Sequence, residues 1–173
     1  MSYLNLKNKV LFYPAIITIV LFLVSCGYHM TGSRLLPFNS VTIKPVKNKT
    51  YEPHLEERIH NALSNEFINQ GIEVKSSGGN VELQATVINF QLGAVGAVDE
   101  KVKEQEIMMQ VNIKLIDKDR ITEFKSMSSP IKITFESAGS VAESVANKEQ
   151  LTDKASREIA RELIGQIIMR YAK

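Results

Sequence analysis

The chain has 173 residues, of which 44% are hydrophobic and 23% charged, proportions of one globular domain of mixed secondary structure that exclude a disordered tail, a collagen and a disulfide scaffold. Its 21 Lys and Arg against 19 Asp and Glu give a net charge of +2, and Lys7 and Lys9 are the only charged residues before Cys26, so the remainder is neutral. Binding to duplex nucleic acid, which needs a cationic excess to displace phosphate counterions, is therefore not expected.

The amino terminus has the profile of a signal peptide. Lys7 and Lys9 precede an apolar run from Val10 to Val24 interrupted only by Pro14 and Thr18. A helix that spans a bilayer needs about 20 apolar residues to cross roughly 30 Å of hydrocarbon, and this run is shorter. An uncleaved membrane anchor is the other reading of the same run. At its edge Leu23, Val24 and Ser25 lead into Cys26, the only cysteine of the chain. This LVSC sequence resembles a bacterial lipobox, in which the cysteine thiol is alkylated by a lipid and the chain is cut just before it. Cys26 is then an acylated first residue; otherwise it is a small buried residue or a free thiol, and a lone cysteine forms no internal disulfide. Several acyl chains on one residue would suffice for stable attachment, whereas one would not. Gly27 after the cysteine resembles an outer-membrane rather than an inner-membrane address. The expected boundaries are a signal peptide over residues 1–25, a lipidated tether over 26–38 and one domain over 39–173.

Beyond the Gly-, Ser- and Pro-containing tether, Val41 and Ile43 alternate with Thr42 and Lys44, which predicts a half-buried strand ending at Pro45. Pro53 suits a first helical turn, and Leu55, Ile59, Leu63 and Phe67 follow at intervals of four until Gly71, predicting an amphipathic helix with a glycine stop. After a short extended piece, IEVKS, and an SSGGN turn, Val81, Leu83, Ala85 and Val87 alternate with polar residues. The phase then slips at Val87-Ile88, and Ile88, Phe90 and Leu92 continue the apolar set, which predicts one strand with a bulge. GAVGAVDEKVK reads as a loop. Ile107, Met109, Val111, Ile113 and Leu115 mark a second long strand, Asp117 to Arg120 a tight turn, and a third strand broken near Ser128-Ser129-Pro130 carries Ile131, Ile133 and Phe135. Ser140 and Glu143 have capping-box spacing ahead of a final helix with Ala155, Ile159, Leu163 and Ile167 on one face down to Tyr171. The predicted fold is α+β, in the order β-α-β-β-β-α, with two helices on one face of a four-stranded mixed sheet. Thr42, Lys44, Gln84, Gln110, Asn112 and Lys114 are expected on the open, polar face.

No residue constellation points to catalysis. His54 and His60 are six apart, on different sides of a helix, and with His29 they read as surface histidines without metal-ligand spacing. No nucleophile elbow or phosphate-cradling glycine loop is present, and Ser76 to Gly79 reads as a plain turn rather than an anion nest. Glu104 and Glu106 beside Lys101 and Lys103 read as a solvated strand end. Asn48-Lys49-Thr50 fits a glycosylation sequon that a bacterial lipoprotein would not use. The expectation is a protein without enzymatic activity, cofactor or metal.

The lipobox followed by CGYHMTG, the segment SVTIKPVKNKTYEPHLEERIHNAL, and the strands VELQATVINF and KEQEIMMQVNIKLID together resemble the LptE family of lipopolysaccharide-assembly lipoproteins. The resemblance implies two helices on a four-stranded mixed sheet. It also implies a periplasm-facing outer-membrane lipoprotein that plugs the LptD β-barrel, helps that barrel assemble and binds lipopolysaccharide in transit. In the family, ligand contact is attributed to basic residues before the middle strand of the meander and in the lead-in to the last helix. By neighbourhood these are Lys101, Lys103 and Lys148 here, which are otherwise ordinary solvated lysines. A generic envelope assembly lipoprotein, pilotin-like or a scaffold, that never touches lipopolysaccharide is the alternative.

Overall fold

The computed structural model describes residues 36–98, 101–129, 133–135 and 141–171. Cys26, the signal peptide, His29, Ser140 and most of the tether lie outside them. Among the described residues the elements are β1 (Ser40–Ile43), β2 (Lys47–Asn48), α1 (Leu55–Asn69), β3 (Glu73–Lys75), β4 (Val81–Val98), β5 (Lys101–Asp117), β6 (Arg120–Ser128), β7 (Ile133–Phe135) and α2 (Val141–Tyr171).

They form one mixed sheet in the order β3-β1-β4-β5-β6. β2 continues the position of β1 along β4, after the break at Pro45, and β7 continues that of β6 along β5. β1 lies parallel to both β3 and β4, whereas β4, β5 and β6 form an antiparallel meander. The α+β class and the element order agree with the sequence pattern, but the sheet is five positions wide rather than four. The extra position is IEVKS, which forms the edge strand β3. The predicted GAVGAVDEKVK loop is corrected too. Its residues belong to the extended ends of β4 and β5, with Gly93 opposite Glu106, Gly96 opposite Glu104 and Val98 opposite Lys101.

Alternation decides which face is dry. Val81, Leu83, Ala85 and Val87 of β4 and Ile107, Met109, Val111, Ile113 and Leu115 of β5 are buried. The register shift between Val87 and Asn89 places the extra residue, Ile88, in a bulge, so that Phe90, opposite Met109, returns to the buried face. Leu55, Ile59, Leu63 and Phe67 of α1 and Ala155, Ile159, Leu163 and Ile167 of α2 cover that face with almost no exposure. Each such large apolar side chain contributes about 1.5–3 kcal/mol relative to leaving it in water. Leu36 and Phe38, at the far end of the expected tether, are also buried, and the Phe38 ring lies 6.2 Å from that of Phe67. Thr152 and Ser156 sit buried on α2 with their hydroxyls donating to the carbonyls of Lys148 and Thr152, so neither is left without a partner.

Two glycines hold the connections. Gly71 ends α1 in the left-handed region (φ 74°); its amide donates to Ile68 O and the amide of the buried Ile72 to Phe67 O, a Schellman closure. The SSGGN segment then carries the chain from β3 to β4, on opposite sides of β1, and so must pass over the face of β1 that the helices leave open. There a Cβ on Gly79 would stand 2.6 Å from Thr42 N and 2.7 Å from Val41 C, closer than atoms can approach. Replacing Gly71 by Ala, where nothing lies within 4 Å of the new methyl, should cost about 1–2 kcal/mol through φ alone. Gly79→Ala should cost up to about 3 kcal/mol because backbone must move. Urea midpoints of the two variants check this, and a Gly79→Ala variant as stable as the parent would overturn the close-crossing account.

Candidate interaction surface

The sheet face opposite the helices is lined mostly by polar side chains that pair across and along strands, with Met108 and Ile121 exposed among them. Lys44 Nζ lies 3.2 Å from Glu82 Oε2, and Gln84 Nε2 donates to Glu82 Oε1 at 2.8 Å. Lys114 and Lys125 flank Glu123 at 2.7 and 3.3 Å. The Gln84 hydrogen bond, followed by Lys44, holds the Glu82 carboxyl below its ordinary range, and Lys114, followed by Lys125, does the same for Glu123. Asn112 Oδ1 accepts from the amide of Ser126 at 2.8 Å, where β6 bulges with Ser126 in the left-handed region. Among the six polar residues expected here, Lys44, Gln84 and Lys114 are exposed, and Gln110 and Asn112 are half-buried. Thr42 departs from the expectation. It is buried, as is Ser40, because the SSGGN crossing covers both. Gly79 N donates to Thr42 Oγ1 at 2.9 Å, while Asn80 Oδ1 accepts from Ser40 N and Oγ and its amide donates back to Ser40 Oγ.

A second surface lies at the end of the sheet where β2 runs out. Asn48 braces the loop from β2 to α1: its Oδ1 accepts from Thr50 N and Oγ1, and its Nδ2 donates to Glu52 O and Glu56 Oε2. The sequon asparagine therefore has a structural use. The braced loop holds Tyr51 fully exposed and Glu52 turned toward α2. Glu52 Oε2 meets Lys148 Nζ at 2.8 Å, and Lys148 also lies over the Phe90 ring, 5.8 Å from its centroid. Arg58 of α1 pairs with Asp153 and reaches the carbonyl of Glu149, a second lashing of α2. Beside the loop is a cleft of about 430 Å³ whose apolar side is Ile88, Phe90 and Leu92 and whose polar side is Lys49 to Glu52 and Asn89.

Lys148 is thus paired and packed at this end. Lys101 opens β5 opposite Val98 of β4, and Lys103 follows two residues on in the same strand. His54 precedes α1 in the left-handed region and is exposed, and His60 is half-buried on α1. Among the described residues no group of His, Cys, Asp and Glu could hold a metal ion, and no helix is long and apolar enough to cross a membrane. Sequence reasoning missed Lys49, Tyr51, Glu52 and Arg58. The one available signal was an aromatic residue among polar neighbours in NKTYEP, between a strand and a helix.

The family model of LptE, described as lipopolysaccharide-assembly, matches residues 38–170. The chain belongs to the LptE family. No curated protein sequence matches it. Solved structures share the fold at low identity. Rare lipoprotein B from Shewanella oneidensis is 9% identical, with a TM-score of 0.56 over 78% of this chain and 97% of the other. Lipoprotein B from Nitrosomonas europaea is 15% identical, with a TM-score of 0.54 over 84% and 93%. A Caulobacter crescentus CB15 lipoprotein is 14% identical, with a TM-score of 0.50 over 74% and 90%. Lipopolysaccharide assembly is therefore the process to which this LptE-family lipoprotein of the cell envelope belongs.

The polar face of the LptE-family sheet has a testable pH signature. Because the folded pKa of Glu123 is lowered, its contribution to stability is complete above the ordinary glutamate range and disappears as pH falls through the lowered value. The parent should therefore melt above Glu123→Gln at neutral pH, with the gap closing in acid. Thermal midpoints from about pH 7 to about pH 2 measure it, and a gap independent of pH would refute the assignment.

Proposed function

We propose that the protein is a non-enzymatic lipoprotein of the outer membrane, anchored through acylated Cys26 and facing the periplasm. In this reading it plugs an LptD-like β-barrel, helps that barrel assemble and binds lipopolysaccharide during transport to the cell surface. The family match over residues 38–170 carries the reading. The sheet supports it physically. One face is sealed by helices, and the other is mostly polar with its charges paired in cis, which suits a water-lined lumen whose inward wall positions are themselves polar. A roughly neutral chain avoids a strong single-sign field against such a wall.

Purification of the tagged, lipidated chain from detergent-solubilised outer membranes should bring down a large barrel protein in equimolar amount. Its absence, with the chain still in that membrane, would sink the plug role and leave a generic envelope lipoprotein.

Lys101, Lys103 and Lys148 are the proposed contacts for lipid A phosphates or acidic core sugars. Replacing Lys101 and Lys103 by Glu, and Lys148 by Gln to avoid setting a carboxylate against Glu52, should weaken lipopolysaccharide capture in a pull-down by one to two orders of magnitude, at roughly 0.5 kcal/mol for each unit of charge changed. Unchanged capture by a folded variant would remove these residues from the ligand contact.

A further inference from the structure

We infer that the cleft between the β2–α1 loop and β4 takes the phosphorylated, acylated end of lipopolysaccharide, with Glu52 occupying Lys148 until an anionic headgroup displaces it. The inference rests on the reading that this protein binds lipopolysaccharide, and it adds a place and a gate. The cleft's volume, about 430 Å³, lies within the range of about 300–1,000 Å³ usual for small-molecule sites. Its apolar side is Ile88, Phe90 and Leu92, with Leu92 44% exposed although its register partner Ile107 is 1% exposed. Leu92 is left open there, and an acyl chain would complete its cover.

The polar side carries the charge complementarity. Lys49 is exposed and in no ion pair among the described residues, and its amide donates to Val87 O at 3.0 Å, so its position is fixed by the sheet. Lys148 is the second cation: it lines the adjoining cleft of about 180 Å³ and touches this one through Phe90 and Glu52, on which its charge is spent. Glu52 also lines the adjoining cleft of about 180 Å³ with Val145 and Arg58, so the Glu52–Lys148 pair is the partition between the two. Lys49 and Glu52 balance within the cleft itself, so the positive charge an anion would meet is Lys148, freed when Glu52 leaves it. A phosphate carries more charge and more acceptor oxygens than a carboxylate, so it competes with Glu52 for Lys148. The exchange leaves the loop standing, because Glu52 is held by its backbone: its carbonyl accepts from Asn48 and its amide donates to Thr50.

The test is equilibrium binding of purified lipopolysaccharide, intact and deacylated, to the full lipidated chain in detergent. Glu52→Gln should bind about two- to fivefold tighter, the size of a released part-exposed ion pair, and the gain should vanish in the Glu52→Gln, Lys148→Gln double variant. Lys49→Gln should bind about two- to fivefold weaker. Leu92→Ser should weaken the intact ligand and leave the deacylated one unchanged. A Glu52→Gln variant that binds like the parent, with Lys49→Gln also unchanged, overturns the gated cleft while lipopolysaccharide binding stands. A parent chain that binds no lipopolysaccharide overturns the reading beneath it as well.

Discussion

The sheet depends on one tight passage, the five residues from Ser76 to Asn80 that cross β1. Because β1 is wedged between β3 and β4 and parallel to both, the chain can reach β4 from β3 only by passing over β1. The side covered by α1 and α2 is closed to it, so the passage lies on the other face, pressed against Thr42 and bracketed to Ser40 by Asn80. Closing the parallel pair of Val41 and Val81 brings together residues far apart in the chain, whereas the β4–β5–β6 meander closes through short turns. The first costs more chain entropy than the second.

Much of this architecture was legible in the sequence where a single period persists. The fourfold spacing of Leu55, Ile59, Leu63 and Phe67, and of Ala155, Ile159, Leu163 and Ile167, located both helices and their buried faces. The slip at Val87 located a bulge, and Asp117 to Arg120 a two-residue turn. Illegible were features that no local pattern encodes. β3 is three residues long, too short to display alternation. The C-terminal end of β4, rich in Gly and Ala, has poor strand propensity and is extended because β5 pairs with it. Thr42 was assigned to solvent by alternation, and its burial comes from a turn 37 residues later.

The interaction surface was legible to a smaller degree. Neighbourhood in the family pattern drew attention to Lys148, but its carboxylate partner is 96 residues away. Such a pairing is visible only when α2 and the β2–α1 loop are folded against each other. Tyr51 and Lys49 belong to a loop whose shape comes from the Asn48 side chain, which the sequence presents as a modification motif rather than as a brace.

The two margins of the sheet have a consequence for traffic through a crowded compartment. An open strand edge is a template on which another chain can add itself. Here one margin is the three-residue β3, and beyond it Pro45, which has no amide hydrogen to offer, interrupts the neighbouring position between β1 and β2. The other margin, β6, is kinked at Ser126, carries Lys125 beside the kink, and is broken before β7. Among the described residues neither side offers a long, straight ladder, so a sheet with an uncovered face is protected against stacking edge to edge into aggregates.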